Sequence, residues 1–211
     1  MGFDAEKDAQ QKAETRRQIL EAAFRVFSER TIEKVTMTDV AEAAGVGVAS
    51  VYRYFGSKSA LVVAVSTHAW TQYLNESSAR FHPEGMTGAG ELAFFLDAFL
   101  DLYRNHKDLL RFNQAFNVYV QSEEITPEQM APYLRMIGVL ADQFHGVYEQ
   151  GREDGTLRTS DTTEREMFSA VVHLMLAAVT RYAVGLVFTD GADPVQELRL
   201  ARDLLLARYT A

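Results

Sequence analysis

The side chains best suited to chemistry sit close together, between Thr36 and Lys58. Ser50, Tyr52, Arg53 and Tyr54 supply hydroxyl and guanidinium donors, and Lys58 adds an ammonium just downstream. These groups donate hydrogen bonds to oxygen-rich anions such as phosphates. Val48 and Ala49, at the start of the same stretch, are small and apolar, so they allow close backbone approach and contact with a methyl group. Nothing comparable points to catalysis. There is no Gly-x-Ser-x-Gly elbow, no His-Glu-x-x-His and no P-loop. The acidic residues form no evident pair for acid–base work. Gly45-x-Gly47-x-x-Ser50 has glycines spaced as in a dinucleotide loop, but that loop needs a preceding strand, and Met37–Ala44 reads as a helix.

The elements that must hold these donors are short helices. An apolar stripe of Ile19, Leu20, Ala23, Phe24, Val26 and Phe27 predicts a first helix from about Ala13 to Glu29. Thr36 with Asp39 three residues on forms a near capping box and opens a second helix that ends at Gly45. A third runs from about Val48 to Tyr54, with Val51 and Phe55 four apart on its inner face. Ser57 is a good N-cap for a long fourth helix through about Ala79. Two short helices joined by a tight glycine turn are a helix-turn-helix candidate, whose second helix fits the major groove of DNA.

The stretch from Arg17 to Val65 resembles the DNA-binding region of TetR-family repressors. It carries Ile19-Leu20-x-Ala22-Ala23-x-x-Val26-Phe27, Thr36-Met37-x-Asp39-Val40-Ala41-x-Ala43-Ala44-Gly45-Val46, and Val51-Tyr52-x-Tyr54-Phe55-x-Ser57-Lys58-x-x-Leu61, without a gap in spacing. The resemblance implies that Thr36, Tyr52 and Lys58 contact phosphates. It places Ser50 and Arg53 at base edges or in the groove, and lets Arg16 and Arg17 reach the backbone from the first helix. With Val48, Ala49 and Tyr54, these form the expected DNA-binding set. Three positions depart from the pattern. Thr31 stands where glycine is usual after helix one, Gly47 replaces a Ser/Thr cap of the recognition helix, and Ser59 replaces an acid.

The remainder reads as helical almost throughout. Helices are expected at about 91–106, 107–121, 128–153, 163–188 and 194–209, separated by a loop at 81–90 and by turns near 106, 125–127, 154–155 and 190–191. The four prolines, Pro83, Pro127, Pro132 and Pro194, fall near segment starts or loops. The expected architecture is all-α, about nine helices: a polar tail at 1–12, a helix-turn-helix domain at 13–58, and an effector-binding and dimerisation domain at 59–211. The last two helices carry apolar stripes (Phe168, Val172, Met175, Leu176, Val179, then Leu198, Leu204, Leu205) and are expected to pair subunits. Aromatic residues at helical spacing suggest an apolar pocket. Its candidate lining is Phe95, Phe99, Asn113, Phe116, Asn117, Phe144 and His173, with His68 and Trp70 as candidates to couple pocket and head. His145 and Glu149, four apart, share a helical face, but two residues do not make a metal site, so neither metal nor cofactor is expected.

Charge and composition agree with a DNA-binding head on a soluble body. Of the 211 residues 47% are hydrophobic, and none is cysteine, which excludes disulfides, thiolate catalysis and Cys-ligated zinc. The net charge is −8, yet residues 12–58 hold eight Lys/Arg against six acids, a net +2 that leaves −10 on the rest. The N-terminus lacks the apolar core of a signal peptide. Segment 168–188 is long enough to span a bilayer but contains His173 and Arg181, so a buried bundle helix is expected. The expected protein is a cytoplasmic regulator bound to double-stranded operator DNA as a homodimer, released by a small, largely apolar effector. A ligand-dependent activator or corepressor-requiring regulator is the alternative, and a helical enzyme fits least.

Overall fold

A computed structural model describes residues 2–81, 84–158, 163–185 and 193–211. Among the described residues there are nine α-helices and no β-strand, and the lone extended pairing is a bridge between Leu157 and Thr210. The helices are α1 (Gly2–Glu29), α2 (Met37–Ala44), α3 (Val48–Phe55), α4 (Lys58–Ala79), α5 (Gly88–Asn105), α6 (Lys107–Ser122), α7 (Pro127–Glu153), α8 (Glu164–Val184) and α9 (Pro194–Tyr209), with a 3-10 turn at Ile32–Lys34. The expected loop at 81–90 is described only in part, and the turn at 190–191 and the helix end at 186–188 lie outside the described residues.

Most helix starts have a side-chain cause. Thr36 caps α2 in a full capping box with Asp39, Ser57 Oγ accepts from the Ala60 N–H at the head of α4, and Thr163 with Glu166 repeats the box at α8. Asp193 caps α9 with Pro194 at its first position. Two expectations differ. α1 begins at Gly2, well before Ala13; residues 6–14 are all exposed, so no apolar stripe marks them. Good helix formers and the Lys12–Asp8 pair extend the helix instead. Pro132 lies inside α7, in its second turn, rather than at a segment start.

The chain forms two compact units. The first comprises Met1–Gln72 and Phe112–Arg135. Within it α1 packs on α2 and α2 on α3 around Ile19, Ala23, Phe27, Ile32, Val40 and Val51. Phe112, Phe116 and Tyr119 of α6 complete this core: Phe112 lies 5.4 Å from Phe24, edge to face, and 6.4 Å from Phe27, stacked. All three fall within segment 59–211, expected as the effector-binding and dimerisation domain. Helical spacing shows that a face is buried but not which partner buries it.

The second unit comprises Tyr73–Arg111 and Met136–Ala211. Here α5 packs against α8 and α9, and α8 against α9. Gly88 meets Gly151 backbone to backbone: a Cβ on Gly88 would stand 2.2 Å from Gly151 Cα. The chain after α7 is tied down by Asp154, whose carboxylate accepts from the Gly88 N–H at 2.7 Å and the Thr156 N–H at 2.9 Å. α8 is long and apolar enough to cross a membrane by length and composition alone, with mean hydropathy 1.5 over its most apolar window. Only 28% of that window is buried, less than the buried bundle helix expected. Met167, Val171, Met175 and Val179 face inward, whereas Leu174 and Val184 point out.

Candidate nucleic-acid interface

The turn between α2 and α3 depends on Gly45, which adopts φ 66°, a left-handed conformation that costs a Cβ-bearing residue roughly 1–2 kcal/mol. Its N–H caps the C-terminus of α2 by bonding back to Ala41 and Glu42 carbonyls. α3 then opens at Gly47, extended and without a side-chain cap, as the substitution at this position predicted. Thr31 also takes an extended conformation (φ −66°), so α1 stops without a left-handed residue and the 3-10 turn follows.

α3 is sharply two-sided. Val51 and Phe55 are buried in the core, and Tyr54 packs partly against it. Val48, Ala49, Tyr52 and Arg53 lie on the opposite, exposed face, Val48 at 39% and Tyr52 at 51% exposure. Ser50 sits at the edge, half-buried, 3.4 Å from an Arg53 guanidinium nitrogen. The Arg53 guanidinium also stands 5.5 Å from the Tyr54 ring centre, which steadies it without neutralising it. Small apolar, phenol and guanidinium groups therefore share one surface.

Other expected contacts are committed within the protein. The Lys58 ammonium donates to the Glu33 carbonyl at 3.0 Å and lies 5.8 Å from the Tyr119 ring centre. Burial pushes its pKa down, against the pull of Glu33, Glu123 and Asp39. The Thr36 hydroxyl bonds the Asp39 carboxylate while accepting from the Asp39 N–H. Thr36 holds the Asp39 carboxyl below its usual range, chiefly through the hydroxyl. Arg17 is clasped by Glu14 and Glu21, and Arg16 stacks 5.3 Å over the Phe55 ring. Two supports escaped the sequence reading. The Gln18 amide donates to the Ala44 carbonyl at 2.8 Å, closing α1 on the end of α2, and the Tyr119 hydroxyl meets Ser59 at 3.2 Å. Both partners are distant in sequence, so local pattern carries no signal for them.

The candidate pocket residues divide between the units. In the first, Phe116 is fully buried, Asn113 is buried and accepts from the Trp70 indole N–H at 3.1 Å, and Asn117 is exposed. Also there, His68 Nε2 is buried without a hydrogen-bond partner among the described residues, and burial lowers the pKa of the ring. In the second, Phe95 meets Phe99 at 5.9 Å and Phe144 at 5.3 Å, with Phe168 closing the group 5.2 Å from Phe144. His173 does not join them. It lies exposed on α8, beside Leu174, with Ser169 as its neighbour at 3.3 Å. An apolar run in sequence concealed an outward-facing position.

Residues 19–65 match the family described as bacterial regulatory proteins, tetR family. The chain is similar in sequence to the HTH-type transcriptional regulator TtgR of Pseudomonas putida, at 37% identity over 93 residues. It is likewise similar to YvdT of Bacillus subtilis, an HTH-type transcriptional regulator named as uncharacterized, at 31% over 96 residues. Those alignments cover 42% and 44% of this chain and 44% and 47% of the relatives, so the chain spans under half the length of the relatives it matches. The fold likeness extends further. The transcriptional regulator FadR of Bacillus subtilis, solved in complex with stearoyl-CoA, superposes with a TM-score of 0.71 over 90% of this chain and 97% of that one, at 18% identity. That likeness shows a shared helical fold that continues beyond residue 65.

Proposed function

We propose that this chain is a sequence-specific DNA-binding transcriptional regulator that represses from an operator and is released by a small, largely apolar effector. The observation that carries the reading is the exposed face of α3: Val48, Ala49, Tyr52 and Arg53 point outward together while Val51 and Phe55 anchor the helix. A helix so presented fits the major groove, with Arg53 available for base edges and Tyr52 for phosphate. Thr36, Ser50, Tyr54, Lys58 and Arg17 flank it as supporting or backbone contacts.

The regulator works as a homodimer through α8 and α9. Support comes from the outward Leu174 and Val184 on α8 and Leu200 and Leu204 on α9, all more than half exposed in the protomer. Two-fold pairing gives two heads for two half-sites. The effector reading draws on the Phe95–Phe99–Phe144–Phe168 cluster and on the stearoyl-CoA held by the Bacillus subtilis regulator of like fold. An effector acts by binding the DNA-free state more tightly than the DNA-bound one.

The test is binding of the purified protein to DNA from upstream of its own coding sequence, at two salt concentrations, against scrambled DNA of equal length. Specific binding that weakens steeply with salt and weakens about ten-fold or more in Tyr52→Ala supports the reading. Failure there, together with no enriched sequence from a random-site selection, overturns it.

A further inference from the structure

We infer that His145, Glu149 and Glu164 form a binding site for a divalent transition metal of the zinc type, joining α7 to the first residue of α8. His145 and Glu149 stand one turn apart on α7. Glu164, the first residue of α8, comes from the neighbouring helix and puts its Oε2 2.8 Å from His145 Nδ1. One ligand atom from each of the three residues lies within 4.8 Å of the other two. The pair that fell short in the sequence thus gains a third donor from a distant segment.

The donor chemistry selects the ion. One imidazole and two carboxylates neutralise a divalent charge, and the imidazole favours zinc, cobalt, nickel or copper over calcium or magnesium. At zinc bond lengths of about 2.0–2.2 Å, tetrahedral ligands stand roughly 3.4 Å apart. The His145–Glu164 pair is already inside that separation, and a rotation of the Glu149 side chain closes the rest. Glu149 now pairs with Arg152 at 3.2 Å, but the Arg152 guanidinium also lies 5.9 Å from the Tyr148 ring centre and keeps that contact when Glu149 turns away. Glu164 is held in place from behind by the Thr163–Glu166 capping box. Three protein ligands leave one coordination position for water. All three side chains are at least partly exposed, so an ion enters without opening the fold.

Protons compete for the site. His145 has its pKa raised first by the hydrogen bond to Glu164, then by the charges of Glu164, Glu149 and Asp142.

The experiment is titration of tag-free, chelator-treated full-length protein with Zn2+ by calorimetry, and with Co2+ followed by its visible absorption. We expect one ion per protomer and cobalt bands of a low-coordinate nitrogen–oxygen site. His145→Ala, Glu149→Gln and Glu164→Gln should each weaken binding about ten-fold or more, with metal-free melting temperatures close to the parent's. The His145→Gln variant provides a conservative control if the alanine variant melts early. No stoichiometric binding overturns the site, as does binding that all three variants retain; either result leaves a simple His145–Glu164 ion pair.

Discussion

Lys58 and Tyr52 read as equivalent phosphate donors in the sequence, but the fold gives them different work. The Tyr52 ring is half exposed and its hydroxyl has no partner among the described residues, whereas the Lys58 ammonium is spent on the Glu33 carbonyl beside Tyr119. The two substitutions should therefore separate. Tyr52→Ala is expected to weaken operator binding about ten-fold or more, the scale of a hydrogen bond to a charged group, with the urea midpoint unchanged. Lys58→Met should lower both operator affinity and the urea midpoint, because it unties α4 from the 3-10 turn. Parallel DNA-binding and denaturation curves check this; a Lys58 variant with parent-like stability would show the ammonium to be free for DNA. The exposed face of α3 was legible because Val51 and Phe55, four apart, mark the buried side of the helix. The internal hydrogen bond of Lys58 was not, since the Glu33 carbonyl lies 25 residues away from it.

At the scale of elements, most helices follow from capping residues and periodicity, and α9 runs over the residues expected, Pro194–Tyr209. What remained hidden were long-range choices: α6 aromatics packing beneath α1, and α5 crossing α7 at Gly88 and Gly151. Neither glycine takes a positive φ; a Cβ on Gly88 would meet the Gly151 backbone, and one on Gly151 would meet the Leu157 side chain. Gly88→Ala would drive its Cβ into Gly151 backbone, which cannot move aside as a side chain can. We expect a loss of about 1–3 kcal/mol or more, seen as a lower urea midpoint with helix content retained. The same junction carries a pH dependence. Asp154 has its pKa lowered by hydrogen bonds from Thr156, chiefly the hydroxyl, and from the Gly88 N–H. A depressed folded-state value contributes stability that is fully present above the unfolded pKa of ~3.9 and disappears as pH falls through the folded value. Asp154→Asn should accordingly flatten the acid limb of a stability–pH series below about pH 5, while leaving the shape near neutrality unchanged. A limb as steep as the parent's would assign the acid sensitivity to other carboxylates.

The whole molecule poses the question of what covers α8 and α9. Leu200 and Leu204 stand four apart on α9 with roughly three-fifths of their surface exposed, and Leu174 and Val184 on α8 are each just over half exposed. Burying a leucine side chain fully contributes about 1.5–3 kcal/mol, and a two-fold interface uses each residue twice. Placing charges there reverses the balance, because paired subunits would bury unpartnered carboxylates. The double variant Leu200→Glu/Leu204→Glu should thus be monomeric by light scattering at concentrations where the parent is dimeric. The head is built around its own core, so the variant's contact with a single half-site survives. Its affinity for a half-site duplex should match the parent's, while its advantage on the two-half-site operator vanishes, since the second head is no longer tethered near the first. A variant that stays dimeric would place the interface on another surface. A variant that loses half-site binding as well would show that α9 supports the head's fold rather than its pairing. Measuring both duplexes in one titration separates these outcomes.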